Sequence, residues 1–212
     1  MSSELLESKQ TESRTPPPGP VTFEEFLAWC DEDTHAEWVD GEIVMAPPPN
    51  TEHQMIRDFL VKVVGLYAEA RELGPVVSSP YLMRLPNRPA GREPDLLFVT
   101  KERIDRITRQ LLDGPADLVV EIISPESIGR DRGEKFVEYE AAGVKEYWLI
   151  DPLRQQAEFY QLDDQGVYRA GALDADGSYH SIMLPGFWLL VTWLWQKPLP
   201  PVLSVLKELG VI

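Results

Sequence analysis

One acid stands inside an apolar run, Leu118-Val119-Val120-Glu121-Ile122-Ile123. A carboxylate there must be solvated at an edge, paired with a cation or bound to a metal. Buried and alone, it would cost several kcal/mol or take up a proton. Its same-face neighbours on a strand are Val119 and Ile123, so Glu121 does not belong to a polar face. A second acid, Asp95, opens another apolar run, Asp95-Leu96-Leu97-Phe98-Val99, directly after Pro94. Two carboxylates on two core strands are the oxygen donors a small divalent-metal site needs. Each also has an ordinary reading. Glu121 fits an edge strand or an ion pair with an arginine, and Asp95 fits a Pro-Asp turn at a strand start.

A lysine follows on the next predicted helix. Asp131, Lys135 and Tyr139 are spaced four apart and share one helix face. That helix comes one short turn after the Glu121 strand and must pack back over the sheet, so its polar stripe can reach the carboxylates. The alternative is an exposed Asp131–Lys135 pair worth a few tenths of a kcal/mol. Glu37 starts a hairpin ahead of Trp38, as a third acid of the site or a solvated strand residue. His53 opens a long helix, and neither His35 nor His180 shows ligand spacing with it. There is no phosphate-cradling glycine loop and no Gly-x-Ser-x-Gly elbow.

The elements that must position these residues are legible from pattern. Thr22-Phe-Glu-Glu25 has capping-box spacing for a short helix to about Cys30. Asp40-Gly41 between alternating flanks predicts a hairpin over Glu37 to Met45, ended by Pro47-Pro48-Pro49. Apolar residues from Met55 to Ala70 recur at helical spacing within Thr51 to Glu72. Val76 to Leu85 reads as extended, Asp95 to Val99 as a strand, and Lys101 to about Arg109 as a charged helix. Asp117 to Ile123 is the Glu121 strand, and a helix runs from about Gly129 to Ala142, stopped by Gly143. Glu146 to Ile150 is a strand, and Ala157 to Leu162, Val167 to Ala170 and Tyr179 to Leu184 form a meander. These elements make one α/β domain with a mixed sheet over residues 21–198. Residues 1–20 read as a disordered leader, and 199–212 as a C-terminal helical tail packed on the domain.

The chain has 212 residues, 43% of them hydrophobic, and a formal net charge of -15. Such a charge opposes indiscriminate coating of nucleic acid but does not fix the sign of a local site. The single Cys30 excludes an internal disulfide framework and a cysteine-rich zinc site. The stretch Phe187 to Trp195 is shorter than the ~20 residues of a spanning helix, so a cytoplasmic protein with no membrane partner is expected.

Taken in order, these pieces resemble a known family. They are Glu37-Trp-Val-Asp-Gly-Glu-Ile, His53 opening a helix, Pro94-Asp95, Val119 to Pro125, Asp131-x-x-x-Lys135-x-x-x-Tyr139, and Gly143 to Asp151. The set is similar to the Uma family of restriction endonucleases, placed in the PD-(D/E)XK nuclease superfamily, across Val21 to Trp188. The resemblance implies a restriction-endonuclease-like fold, a mixed central sheet flanked by helices, and Mg2+- or Mn2+-dependent hydrolysis of phosphodiesters, with DNA as the expected partner. It implies that Asp95 and Glu121 are the metal ligands and that Glu37 and Lys135 complete the catalytic set. The lysine expected two residues after the second acid is Ile123 here, with Lys135 as its substitute. Arg84, Arg88, Arg92, Lys101, Arg103, Arg106 and Arg109 would guide a backbone or form a solvated surface.

Two other functions fit the same residues. One is a catalytically silent nucleic-acid-binding module on this fold. The other is a regulatory oligomer, such as a homodimer, with Trp188, Trp193 and Trp195 at the interface.

Overall fold

The computed structural model describes residues 15–31, 34–47, 50–86 and 88–212. Residues 1–14 of the expected leader, and Pro48 and Pro49 at the end of the hairpin, lie outside the described residues.

Helix α1 (Phe23–Trp29) begins at the capping box, where the Glu25 amide donates to Thr22 Oγ1 and the Thr22 amide to Glu25 Oε2. Strands β1 (Ala36–Val39) and β2 (Glu42–Met45) form the hairpin. Its turn residues Asp40 and Gly41 have φ of 51° and 91°, the two positive values a tight primed turn requires. Helix α2 (Thr51–Ala70) is capped by Asn50. Then come β3 (Val76–Ser78), β4 (Leu82–Leu85), β5 (Ala90–Arg92), β6 (Leu96–Phe98), β7 (Leu111–Asp113) and β8 (Leu118–Ile122). Helix α3 (Lys135–Ala142) ends at Gly143, whose φ of 85° is left-handed. Strands β9 (Glu146–Asp151), β10 (Gln156–Leu162), β11 (Tyr168–Ala170), β12 (Ser178–His180) and β13 (Trp188–Leu190) follow, and α4 (Val202–Glu208) lies near the C-terminus.

Six strands form the central mixed sheet in the order β11-β10-β9-β8-β6-β3. Its parallel pair is β8 and β9, joined by the crossover through α3. A second sheet has the order β2-β1-β5-β4-β7, and β12 pairs with β13. The pleat of β8 separates two cores. Leu118, Val120 and Ile122 pack with α2, while Val119 and Ile123 join Tyr139, Tyr147 and residues of the second sheet. Glu121 shares the face of Val119 and Ile123, so it points into the layer occupied by α3 and the second sheet.

Several elements differ from expectation. Val76 to Leu85 is two strands in different sheets. The helix expected over Lys101 to Arg109 is a 3-10 segment, Lys101–Arg106, and β7 follows it. The helix expected from about Gly129 is present, with Ile128 and Gly129 already helical, but it carries a π-helical turn, Arg130–Glu134, that the sequence did not announce. The last meander strand stops at His180 because Glu146 captures the backbone at Ile182 and Met183. Trp193 is buried in the core against α2, with Trp188 and Trp195 packed on it, so the tryptophan-rich stretch supports its own fold. Val205 and Leu209 place α4 in that same core. Among the described residues no helix is long and apolar enough to cross a membrane.

Candidate active site

Strand register brings the two predicted acids together. In the antiparallel β6–β8 pair Leu96 lies opposite Val120 and Phe98 opposite Leu118. One further step puts Asp95 opposite Glu121 on the same face. The amide of Ile122 donates to Asp95 Oδ2 at 2.7 Å, and His53 Nε2 lies 3.2 Å from that oxygen. Asp95 Oδ1 takes no hydrogen bond among the described residues. The start of α2 thus supplies a group to one oxygen of Asp95 and leaves the other to the cleft.

Lys135 reaches Glu121 from α3. Its Nζ lies 2.9 Å from Glu121 Oε1, 3.0 Å from Glu37 Oε1 and 3.5 Å from Asp131 Oδ1. Tyr139 Oη donates to the same Glu121 oxygen at 2.7 Å. The π-helical turn sets this approach, for the Lys135 amide bonds to the Arg130 carbonyl five residues back. Two anchors fix the turn: Tyr147 Oη donates to the Asp131 carbonyl, and Ser127 Oγ to the Asp131 carboxylate. Ile123, where the resemblance leads one to expect a lysine, is buried in the second core.

Glu37 comes from β1 and links Lys135 to a buried arginine. Arg92 donates from Nη1 to Glu37 Oε2 at 2.9 Å, and from Nε and Nη2 to the two oxygens of Glu138 at 2.7 and 2.9 Å. Arg92 is 0% exposed, which removes it from the residues expected to guide a nucleic-acid backbone. Arg103 is also engaged, with Asp117 and the Pro115 carbonyl.

The electrostatics split these acids. Burial opposes ionisation of Glu37, but the Lys135 and Arg92 charges outweigh it and bring its pKa down to about 2. Glu121 is pushed up to about 8, first by burial and then by the charges of Asp131, Asp95 and Glu37, against the pull of Lys135. Burial also raises Asp131. Lys135 stays protonated because Glu121, Glu37 and Asp131 surround it. Several carboxylates therefore share one ammonium, and the deficit of positive charge is met by an extra proton or by a cation.

The acids face a cleft of about 570 Å³ lined by residues of α2, β1, the end of β8 and the π-helical turn. Four buried polar atoms on its walls lack a hydrogen-bond partner among the described residues: Asp131 Oδ1, His53 Nδ1, Gln54 Oε1 and Arg57 Nε. Carboxylate oxygens at an open cleft suit a hard divalent cation. Among the described residues no three His, Cys, Asp or Glu side chains form a cage for an ion.

Sequence reading recognised the helix face of Asp131 but did not place it in the site, and it missed Gln54 and Arg57. Arg57 lies one helical turn beyond His53, a spacing that was available as a signal. Arg130 gave no such signal, since its position depends on the π-helical turn.

The chain matches the Uma2 family, described as "Putative restriction endonuclease", over residues 23–192. Among solved structures it is similar to a putative nuclease belonging to DUF820 from Anabaena variabilis, with a TM-score of 0.68 and 20% identity, over 83% of this chain and 98% of that one. No curated protein matches it.

Proposed function

The chain belongs to the Uma2 family, and on that premise we propose that it is a divalent-cation-dependent endonuclease that hydrolyses phosphodiester bonds of DNA. The observation that carries this reading is the delivery of Lys135 from α3 to Glu121 at 2.9 Å, beside Asp95 on the neighbouring strand. An amine and two carboxylates then face one open cleft.

Asp95 and Glu121 are the residues that would hold Mg2+ or Mn2+. When bound, such an ion supplies Lewis-acid stabilisation of the phosphoryl oxygens and lowers the pKa of a water ligand. To serve as a ligand, Glu121 would release its extra proton to solvent in the cleft. The Ile122 amide and His53 fix one oxygen of Asp95, which turns the other to the cleft. Glu37 positions Lys135 and keeps it charged, while its second oxygen is held by Arg92. Lys135 orients the attacking water by a hydrogen bond or stabilises charge on the phosphate as it develops.

The test is nicking of supercoiled plasmid, with single-stranded DNA and RNA oligonucleotides alongside, in Mg2+, in Mn2+ and in EDTA. Cleavage that needs the cation and disappears in Glu121→Ala is the expected result. Equal cleavage by wild type and variant would assign the activity to a contaminant. Binding without cleavage in every condition would replace this reading with the silent binding module.

A further inference from the structure

We infer that Arg57 and Arg130 form a two-sided clamp for the nucleic-acid phosphates flanking the scissile one. The inference rests on the nuclease reading and names the part of the site that meets the substrate backbone. An acidic chain with carboxylates at its centre needs cations at the rim to seat a polyanion, and most of its arginines are committed elsewhere. Arg92 is locked to Glu37 and Glu138, Arg103 to Asp117, and Arg132 to Glu158 and Asp151. Arg84 faces Asp113.

Arg57 and Arg130 both line the cleft and are not committed in this way. The nearest carboxylate to Arg57 is its sequence neighbour Asp58, at 3.7 Å, beyond hydrogen-bond range. Its Nε is buried with no partner. A buried guanidinium donor left unpaired is costly, and a structure that keeps one at a cleft wall has an acceptor to offer it. The Arg130 carbonyl accepts from the Lys135 amide, but its guanidinium makes no hydrogen bond or ion pair among the described residues.

Their placement suits one extended anion. Helix α2 packs on one face of the central sheet, and the π-helical turn and α3 cover the other. The cleft opens at the strand ends between them, with Arg57 on the α2 wall and Arg130 on the opposite wall. The carboxylates and Lys135 lie between. A guanidinium fork matches two phosphate oxygens, which a lysine does not. The asparagine-capped start of α2, which also lines the cleft, adds its dipole in the same sense.

The experiment measures binding without cleavage. Glu121→Gln serves as the inert background, and the probes are a short fluorescein-labelled DNA duplex and its single strand, titrated over a range of salt. Adding Arg57→Ala or Arg130→Ala weakens binding by about tenfold each and lowers the salt slope by about one each. Arg57→Lys is intermediate, and Arg84→Ala leaves affinity and slope unchanged. In the active background the two alanine variants raise KM more than they lower kcat, a split that a purely structural role would not give. Thermal melts establish that each variant is folded. Unchanged affinity and slope in both variants would overturn the clamp while leaving the nuclease reading standing. A parent that binds neither probe would overturn the nuclease reading, and the clamp with it.

Discussion

Glu121 and Glu146 are buried carboxylates on neighbouring strands of one sheet, and both hold a proton more tightly than an exposed glutamate. Their surroundings are opposite. Glu146 sits at the start of β9 on the α2 face and accepts five hydrogen bonds from neutral donors. Trp148 Nε1 and Tyr179 Oη reach Oε1, both at 2.7 Å. Ser181 Oγ and the amides of Ile182 and Met183 reach Oε2 at 2.8, 3.0 and 2.9 Å. Glu121 sits near the end of β8 on the α3 face, where one ammonium and one hydroxyl share Oε1 and the other charges that bear on it are negative. Glu146 is satisfied and ties the segment before β13 to the sheet. Glu121 is strained by like charge beside an open cleft, and such strain persists where a ligand relieves it.

The largest effect that separates the two is on activity. Glu121→Ala lowers DNA cleavage by about a thousandfold or more, as loss of a charge-stabilising group does. Glu146→Gln, distant from the cleft, leaves the rate per folded molecule within about twofold. A cleavage assay normalised to folded protein by circular dichroism checks both. Comparable losses in both variants would erase the distinction.

Stability reverses the order. In Glu146→Gln the new amide faces donors on one side, so urea denaturation shows a loss of about 3 kcal/mol. Glu121→Gln keeps an acceptor for Tyr139 and Lys135 and resembles the protonated, neutral Glu121 that prevails below about pH 8, so near neutral pH its stability stays within about 1 kcal/mol of wild type. A collapse of Glu121→Gln would make it a structural residue like its neighbour.

The same pair shows what the sequence can tell. An acid in an apolar strand marked Glu121, but Glu146-Tyr-Trp-Leu-Ile150 has nearly the same signature and a different meaning. Four of the five donors to Glu146 lie more than thirty residues away, three of them in irregular backbone at Ser181, Ile182 and Met183, and no local pattern announces them. Capping at Thr22, the turn at Asp40-Gly41 and the stop at Gly143 were legible because each is a local rule. The contact of Lys135 with Glu121 was inferable from helix spacing and the short turn after β8. The π-helical turn that aims Lys135 was not, because it depends on Tyr147 and Ser127 holding Asp131. Arg92 misled because a Pro/Arg-rich stretch reads as surface, and its burial follows from Glu37 and Glu138, which come from two other elements.

Proton linkage sharpens the comparison further. A carboxyl whose folded pKa is raised binds more protons in the native state, so stability falls as pH rises. For Glu121 that contribution is full below the unfolded value near 4.5 and is lost as pH rises through about 8. Glu121→Gln therefore flattens the pH dependence of stability in this window, and what remains of the downward slope includes Glu146. If Glu121 is a cation ligand as proposed, Mg2+ needs its deprotonated form, so any rise in melting temperature given by Mg2+ is expected to grow over the same window. At a hundred times its Kd the ion adds about 2.7 kcal/mol. An Mg2+ effect that is independent of pH, or that survives in Glu121→Gln, would separate the cation from this carboxylate.

The smallest effect falls on Tyr139, which is 0% exposed and serves only one of the two acids. Tyr139→Phe removes the 2.7 Å bond to Glu121 Oε1 and keeps the ring packed edge-on against Tyr147 at 5.1 Å. Stability falls by about 1 kcal/mol, the usual net value of such a bond. The direction of the chemical change is more telling than its size. With one donor fewer on its charged form, Glu121 binds its proton more tightly, so the pH at which Mg2+ becomes effective moves upward. A purely structural tyrosine would give the stability loss without that shift. The corresponding change at the other acid, Tyr179→Phe, takes one of five donors from Glu146 and leaves the Mg2+ profile where it was. If Tyr179→Phe moved the Mg2+ profile and Tyr139→Phe did not, the roles given to the two carboxylates would have to be exchanged.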